Sequence, residues 1–275
     1  MTKKIAFCFL LYEYIKHNRI WEKFFLQDSN CTHSIYSHIK NNSEKTQDWL
    51  KPNQVKTIKT SWCDESLVYV WINMLKKALQ DKDNKYFILL SGECIPLYNY
   101  TKLYTKITRS KKSRINLNKN IMMFNRKLYD FTGLYYADQW MILNRTDAKI
   151  LTDMLNTSIG RKWLSKEKNM LCWGSDYLPV KSSDKSSAKL CLCPDEIYPI
   201  NWFIYKLGSP GSKKFKKHFV LKPTTFTQWD SAKPHPKSFN LTDVLLNDIT
   251  LSKMKQTDAL FARKFSKRAA NYLLK

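Results

Sequence analysis

A compact apolar run, Phe87–Leu90, stands in the first half of the chain and is followed at once by Ser91, Gly92 and Glu93. A continuous apolar run of this length that ends near a glycine is typical of a strand buried on both faces. Such strands belong to sheets covered by helices, in which ligands bind beyond the carboxyl ends of the strands. The pattern therefore predicts a strand whose tip, Ser91–Cys94, borders a binding site. A core strand followed by an ordinary turn is the alternative.

Apolar runs and amphipathic stretches alternate before and around this strand, which favours an α/β sheet with right-handed crossovers. We find no internal repeat and no linker-like segment, so we predict one domain over residues 1–275. The elements predicted up to this point are strands at Ile5–Tyr12, Ser34–Ile39, Val55–Ile58 and Phe87–Leu90, with helices at Ile20–Leu26, Asp64–Ala78 and Asn99–Ile107.

The rest of the chain carries weaker patterns. A basic stretch, Thr108–Asn120, is predicted to be a loop, and so is the Ser/Lys-rich stretch Lys181–Lys189. The remaining predictions are a short apolar run in Leu134–Asn144, helices at Arg145–Leu155, from Pro194 onward and at Ala259–Leu274, and strands at Phe219–Leu221 and Thr225–Trp229.

The formal net charge of +24 suggests an anionic partner. The excess is diffuse, however, because 39 Lys stand against 8 Arg and are spread among many Asn. Nucleic-acid readers rely on Arg for bidentate contacts to bases and phosphates. An AT-rich genome, of a microbe or of a large DNA virus, would give the same composition. A nucleic-acid-binding protein is therefore kept as an alternative, whereas an anionic ligand of some kind fits better.

Seven cysteines occur at irregular spacing, and the only close pair, Cys191 and Cys193, has no second pair to complete a zinc site. One disulfide is compatible with this pattern, but free thiols in a reducing compartment are the preferred interpretation. The apolar stretch Ile5–Leu11 is too short to span a bilayer, and no small-residue cleavage site follows it. We therefore expect a soluble chain in the cytoplasm, for instance of a virus-infected cell, or in a virion.

Two pairs of residues could carry chemistry. Asp195 and Glu196 open a predicted helix, where one carboxylate could serve as a general base; acidic residues that complement the helix dipole are the simpler explanation. Arg263 and Lys264 lie between two phenylalanines and could hold two phosphates while the aromatic rings anchor the segment in the core. A solvated basic face is the alternative for this second pair.

The chain lacks the motifs of several common catalytic sites. It contains no Walker loop, GxGxxG, HExxH or GxSxG sequence. Many sugar-nucleotide enzymes place an Asp-x-Asp after a central strand, where a divalent ion meets the diphosphate. Here Asp81 and Asp83 precede the strand, and only Glu93 follows it. A nucleotide diphosphate would therefore be neutralised by Arg and Lys, and we predict no metal cofactor.

Taken together, these residues resemble the core-2/I-branching family of glycosyltransferases, most of all its plant-type members. The resembling segments occur in the family's order and cover nearly the whole chain: KIAFCFLLY, SIYSHI, SLVYVWINMLKKAL, YFILLSGECIPLYNY, ADQWMILNR, PDEIYP and FARKF. The resemblance implies a GT-A-like α/β fold, with a mixed central sheet flanked by helices, that binds a UDP-sugar and inverts at the anomeric carbon without a metal. Animal and plant members act in the Golgi lumen, which would apply here only if an anchor had been removed.

The resemblance also assigns roles to residues. Glu196 falls on the family's catalytic base, and Arg263 with Lys264 falls on its diphosphate-binding pair. Two further groups contact the donor nucleoside and the donor or acceptor sugar. The nucleoside group is Phe9 and His38, and the sugar group is Asp138, Gln139, Trp140, Phe226 and Trp229, to which we add Glu93 and Asp195. This chain departs from the family pattern at Lys40, where many members have Asp, and at Ala137-Asp138, where Gly-Ser is usual.

The predicted reaction is transfer of N-acetylglucosamine, xylose or glucuronic acid from a UDP-sugar to a hydroxyl group. The acceptor would be a glycan or a glycoprotein, and no nucleic-acid partner is expected. UDP-sugar would be a co-substrate, and no cofactor would be required. A catalytically inactive, glycan-binding relic of the same fold is a further alternative to the enzyme.

Overall fold

A computed structural model describes residues 3–122, 134–164, 193–229, 236–247 and 249–274 of the chain. Its strands are β1 (Lys4–Leu11), β2 (His33–Ile39), β3 (Asn84–Ser91), β4 (Ile95–Pro96), β5 (Ser113–Ile115), β6 (Leu117–Met122), β7 (Leu134–Ala137), β8 (Ile142–Asn144), β9 (Phe219–Leu221), β10 (Thr225–Phe226) and β11 (Phe261–Ala262). Its helices are α1 (Asn18–Phe25), α2 (Ser66–Ala78), α3 (Tyr100–Thr108), α4 (Arg145–Thr152), α5 (Ser158–Trp163), α6 (Pro194–Leu207), α7 (Lys213–His218), α8 (Leu241–Leu246), α9 (Leu251–Gln256) and α10 (Lys267–Leu273).

Six strands form the main sheet, in the order β2-β1-β3-β8-β5-β9. β1 pairs in parallel with both β2 and β3, whereas β8 runs antiparallel to β3 and to β5. The sheet is therefore mixed, as the family resemblance implied. The run Phe87–Leu90 lies in the interior of the sheet and is buried throughout, which confirms the predicted strand.

The apolar run is continuous because helices cover both faces of the sheet. Successive side chains of a strand point to opposite faces. Phe87 and Leu89 pack into the cluster that contains α2, α4 and α6, while Ile88 and Leu90 pack into the cluster that contains α1 and α3. Neither face of β3 is left to solvent, so its polar residues are confined to the two ends of the strand.

The strand order places a crevice beside β1. The chain leaves β1 to form β2 on one side and later returns to form β3 on the other. In open α/β sheets, ligands bind beyond the carboxyl ends of the strands at such a reversal. The tips of β1 and β3, near Tyr12 and Ser91, are therefore where the topology itself predicts a site.

A small three-stranded sheet, β10-β11-β4, brings the last part of the chain to this crevice. β4 follows the tip of β3 directly, and β11 pairs antiparallel with it, so that Ala262 lies opposite Ile95. The residues after β11, Arg263 and Lys264, are consequently carried toward the residues at the β3 tip. Phe261 and Phe265, on either side of this pair, are fully buried and fix the segment, as predicted.

Three predicted elements differ from the structure. Val55–Ile58 is not a strand, because its backbone pairs with the backbone of β2 only at an isolated bridge at Gln54 and through one hydrogen bond, from the Val55 N–H to the Ser37 carbonyl (2.8 Å). The predicted basic loop contains β5 and the start of β6. The predicted C-terminal helix begins only at Lys267, since β11 precedes it. The predicted loop Lys181–Lys189 lies outside the described residues. Within the described ranges, no helix combines the length and apolarity that crossing a membrane demands.

Candidate active site

A cavity of about 660 Å³ opens at the carboxyl ends of β1 and β3. Several separate segments of the chain form its wall. They are the β1 tip with Lys40, Ser91 at the β3 tip, the loop residues 60–63 with Leu67 of α2, Tyr136–Trp140 without Ala137, the start of α6, residues 227, 229 and 236 after β10, and Arg263 with Lys264. Most of the residues that the sequence singled out for chemistry therefore lie around one space.

Glu196 lies in the first turn of α6, which opens with Pro194 at a position that needs no backbone N–H donor. The Tyr136 hydroxyl donates a hydrogen bond to Glu196 Oε2. Burial raises the pKa of Glu196 to about 7, and the neighbouring carboxylates of Asp195 and Asp138 add to this effect against the opposing hydrogen bond from Tyr136. A carboxyl group with a pKa near neutrality can both take up and release a proton under ordinary conditions.

Two further carboxyl groups lie on the same wall as Glu196. Asp195 is buried, its Oδ1 has no hydrogen-bond partner among the described residues, and burial raises its pKa to about 7. Asp138 accepts a hydrogen bond from Asn116 Nδ2 (2.8 Å), and burial raises its pKa as well. This side of the cavity is therefore rich in oxygen acceptors.

The cavity wall also carries a positive charge, that of Arg263, in contrast to the carboxyl groups. Its guanidinium lies over the Trp140 ring, 4.6 Å from the ring centroid, which is a cation–π distance. Its backbone N–H donates to the Phe226 carbonyl (3.0 Å) and so fixes the segment. Arg263 Nε is buried without a hydrogen-bond partner among the described residues. The guanidinium is therefore positioned by the Trp140 ring and keeps an N–H donor available for a ligand.

Lys264 is held by the tip of β3. Its Nζ lies 3.5 Å from Glu93 Oε2, and Lys16 Nζ lies 3.3 Å from Glu93 Oε1. Burial alone would raise the pKa of Glu93, but the charges of Lys264 and Lys16 outweigh it and lower the pKa. Glu93 does not line the cavity, and the structure places it behind Lys264. The predicted contact of Glu93 with a sugar is not what the structure shows, because its carboxylate binds Lys264 and Lys16 outside the cavity wall.

Gly92 allows the close approach that completes this arrangement. A Cβ atom at this position would lie 2.6 Å from the Tyr14 carbonyl oxygen, far closer than such atoms approach. The Lys16 N–H donates to the Gly92 carbonyl (2.9 Å), which holds the segment after β1 against the β3 tip. Only glycine leaves room for that segment, and with it for the pairing of Lys16 with Glu93.

Other residues predicted at the site do not reach the cavity. Phe9 is fully buried against Trp21 and Trp49, because it lies on the face of β1 that α1 covers. His38 is fully buried as well, and its Nε2 accepts the Ile58 N–H (3.1 Å). Phe226 packs in the C-terminal apolar cluster and contributes only its carbonyl. The predicted residues that do line the cavity are Asp138, Gln139, Trp140, Asp195, Glu196, Trp229, Arg263 and Lys264.

The cavity is also lined by polar and aromatic residues that were not predicted at the site, among them Tyr12, Lys40, Trp62 and Tyr136. A signal existed for Tyr136. In a strand, residues two apart share a face, so Tyr136 had to accompany Asp138 if that residue faced the site. No comparable periodicity marks Trp62, which lies in a loop.

Cys63 and Cys193 form a disulfide, with Cα atoms 4.4 Å apart. The expectation of free thiols is therefore wrong for these two residues, because the fold brings together cysteines that are 130 residues apart in sequence. Cys8, Cys31 and Cys94 are free. Cys172 and Cys191 lie outside the described residues. The predicted cytoplasmic location stays a prediction.

Residues 5–256 match the family model described as Branch, the Core-2/I-branching enzymes. The chain belongs to this family. The resemblance inferred from the sequence is thereby confirmed over β1 to α9. The match ends before Arg263 and Lys264, so the diphosphate-binding role of that pair stays a prediction.

One curated family relative is the rice (Oryza sativa subsp. japonica) protein named glycosyltransferase BC10, which is 22% identical over 161 residues. The alignment covers 54% of this chain and 40% of the rice protein, so the chain spans well under half of that relative's length. Among solved structures, a glycosyltransferase involved in glycosylation of the major capsid of PBCV-1 aligns over 99% of this chain and 100% of its own, with 8% identity and a TM-score of 0.44. A197 from STIV aligns over 53% and 67%, with 10% identity and a TM-score of 0.28.

Proposed function

We propose that this Core-2/I-branching family member transfers a sugar from a UDP-sugar to a hydroxyl group of a glycan or glycoprotein, with inversion at the anomeric carbon. One observation carries the proposal. A single cavity is lined both by Glu196, a carboxyl group with a pKa of about 7, and by the cations Arg263 and Lys264. An inverting transfer requires both groups, one for the acceptor and one for the leaving diphosphate.

Glu196 acts as the general base in this proposal. As the acceptor oxygen forms its bond to the anomeric carbon, its proton passes to Glu196. The bond between the anomeric carbon and the diphosphate oxygen breaks on the opposite side, and UDP leaves with that electron pair. The Tyr136 hydroxyl donates to Glu196 Oε2, and we assign the acceptor proton to the other oxygen, Oε1.

Arg263 and Lys264 stabilise the leaving diphosphate. Negative charge grows on the diphosphate as the glycosidic bond breaks, and donors that are fixed beforehand stabilise it without reorganisation. The stacking of Arg263 on Trp140 and the contact of Lys264 with Glu93 supply that rigidity. Arg263 Nε, buried without a partner among the described residues, is a donor suited to a phosphate oxygen.

We also propose that the reaction needs no divalent metal. Support comes from the residues at the β3 tip, where metal-dependent enzymes of this kind carry paired carboxylates. Here the tip offers one carboxylate, Glu93, and two ammonium groups, of Lys16 and Lys264, already bind it. In the described part of the chain, no three His, Cys, Asp or Glu side chains come together as metal ligands. The protein's own cations would take the metal's place.

The test is a panel of UDP-sugars, namely UDP-N-acetylglucosamine, UDP-xylose, UDP-glucuronic acid and UDP-glucose, incubated with the protein in EDTA. We expect UDP release from one of them and thermal stabilisation by UDP itself. The absence of both would overturn the proposal. Steep, salt-dependent binding to DNA in their place would favour the nucleic-acid alternative. UDP binding without any turnover, in wild type and Glu196→Gln alike, would favour the inactive relic.

A further inference from the structure

Three exposed aromatic side chains border the cavity. Tyr12 is 67% exposed, Trp62 60% and Trp229 52%, and all three line the same space although they come from distant segments. Large aromatic rings left open around a concave site are typical of ligand contacts rather than of ordinary surface. Trp229 was anticipated from the sequence, whereas Trp62 has no role in the reaction as described above.

The position of Trp62 relative to the base is fixed by covalent bonds. Trp62 precedes Cys63, whose disulfide partner Cys193 caps the first turn of α6. The Glu196 N–H donates to the Cys193 carbonyl (2.9 Å), so the base follows the disulfide within one helical turn. Trp62 is therefore tethered at the Glu196 side of the cavity. Tyr12 belongs to another part of the wall, at the β1 tip, where the Lys40 ammonium lies 5.4 Å from its ring centroid.

We propose that Trp62 is a stacking platform for a pyranose ring of the acceptor, held beside Glu196 by the Cys63–Cys193 disulfide. This inference rests on the proposed function and deepens it, since it names a sugar rather than a protein side chain as the group that is glycosylated. Sugar rings present C–H groups on their faces and hydroxyl groups at their edges. An aromatic ring binds the apolar face, and the hydroxyl groups then need acceptors nearby.

The cavity that Trp62 lines offers such acceptors. Asp195 Oδ1 and Gln139 Oε1 are buried without hydrogen-bond partners among the described residues, and both residues line the cavity. Hydroxyl groups can donate to both oxygens. A carboxylate or sulfate has no hydrogen to donate to the oxygens of Asp138, Asp195 and Gln139, whereas a hydroxyl group has. The arrangement therefore favours a neutral pyranose acceptor over an anionic one.

The experiment compares donor hydrolysis with transfer. UDP release from the donor found in the panel is measured in water alone, with methyl β-D-galactopyranoside, with methyl β-D-xylopyranoside and with a Ser/Thr peptide. We expect at least one methyl pyranoside, and not the peptide, to accelerate release. Trp62→Ala should raise the KM for that pyranoside about tenfold, while the Kd of UDP and the rate in water stay within about twofold of wild type.

Two variants make the result specific. Trp62→Phe keeps an aromatic face and should retain most of the acceptor affinity, whereas Tyr272→Ala, an exposed aromatic residue outside the cavity, should change nothing. The inference is overturned if the peptide alone accelerates release, if no pyranoside does, or if Trp62→Ala weakens UDP binding as much as acceptor binding. Absence of UDP binding and release in wild type would instead overturn the proposed function, and the inference with it.

A second arm tests the disulfide. Treatment of wild type with dithiothreitol, or the paired change Cys63→Ser and Cys193→Ser, should raise the acceptor KM and leave the Kd of UDP unchanged. Dithiothreitol should have no further effect on the paired variant. Cys31→Ser, which removes an exposed free thiol, is the matched control and should behave as wild type. An unchanged acceptor KM after verified reduction would overturn the role given to the disulfide.

Discussion

Glu196 and Glu93 are the same side chain in two partly buried places, yet their pKa values move in opposite directions. Burial raises the pKa of Glu196 to about 7, and two nearby carboxylates add to the effect. Burial also acts on Glu93, but Lys264 and Lys16 reverse it, and the pKa falls below its usual value. Burial acts in the same direction on both side chains, so the sign of the surrounding charge decides which of the two has the raised pKa.

The difference separates two tasks within one site. A carboxylate that two ammonium groups stabilise stays ionised and serves to hold those groups in place. A carboxyl group whose charged form is poorly stabilised gains from accepting a proton, which is what a general base does. The pair Glu196 and Glu93 thus distinguishes the acceptor side of the proposed reaction from the support of its leaving-group side.

The largest expected effect comes from removing the base. Glu196→Gln should lower the rate of transfer by about 10²–10⁴-fold, because the acceptor proton has no carboxylate to receive it. The Kd of UDP, measured by calorimetry, should stay near the wild-type value. Glu44→Gln, an exposed glutamate that does not line the cavity, is the control. Near-normal transfer by Glu196→Gln would refute the assignment.

Removing the cations Arg263 and Lys264 should weaken the binding of UDP. Lys264→Ala and Arg263→Ala should each weaken UDP binding by roughly 10- to 100-fold, since each removes a charge-assisted contact to the diphosphate. Calorimetric titration of UDP measures the effect. Lys149→Ala, an exposed helical lysine away from the cavity wall, should bind as wild type does. Equal loss in all three variants would indicate diffuse attraction to the positive protein and not a site.

The pH profile sharpens the comparison. Glu196 has to be ionised to accept a proton, so kcat/KM should rise about tenfold per pH unit below pH 7 and level off above it. The hydrogen bond from Tyr136 opposes the rise in the pKa of Glu196, so Tyr136→Phe should move the profile to higher pH. A shift to lower pH, or none, would mean that Tyr136 does not bind the ionised form.

The buried carboxyl group of Asp195 should lower the free energy of unfolding at high pH. The folded state holds the Asp195 proton up to a pKa of about 7, whereas the unfolded chain loses it near 3.8. The free energy of unfolding therefore falls as the pH rises through that window. Asp195→Asn should stabilise the protein at pH 8 by roughly 1–3 kcal/mol and have little effect at pH 4. Urea unfolding at both values checks this.

Glu93 should change the pH dependence of stability in the opposite direction to Asp195, and its substitution should have the smallest effect of those considered. Its lowered pKa means that its ionised form stabilises the folded state at neutral pH, and that this stabilisation is lost as acid protonates it. The side chain is 34% exposed, so Glu93→Gln should cost under about 1 kcal/mol at pH 7. High salt should shrink the difference. If the destabilisation of Glu93→Gln relative to wild type grew as the pH was lowered, the pairing of Glu93 with lysine would be contradicted.

The central part of the fold could be predicted because its signals are local. The run before Ser91 specified a buried strand, and the spacing around α2 specified a helix. Glu196, Arg263 and Lys264 stood out in the sequence as candidate pairs, and the family resemblance added their proposed roles. Phe9 could not be placed in the same way: both faces of β1 are buried, so alternation along the strand does not say which residues end near the cavity.

What the sequence did not reveal depends on contacts between distant segments. The contact between Glu93 and Lys264 joins residues that pairing of β4 with β11 brings together, and no local pattern encodes that pairing. The Cys63–Cys193 disulfide and the short strand β5 were missed for the same reason. The strand β5 lies in a basic stretch that is typical of a loop, although its Ser113 is fully buried and donates a hydrogen bond to Asp147.

The small sheet that brings β11 to β4 also sets when the site can exist during synthesis. Residues near Tyr12 and Ser91 emerge early, and Glu196 follows, but Arg263 and Lys264 leave the ribosome only after them. Contacts of such long sequence separation form late, because the intervening loop has to close first. A nascent chain would thus carry the proposed base without the cations for the diphosphate. Binding of UDP should therefore appear only once the chain has been made past residue 264.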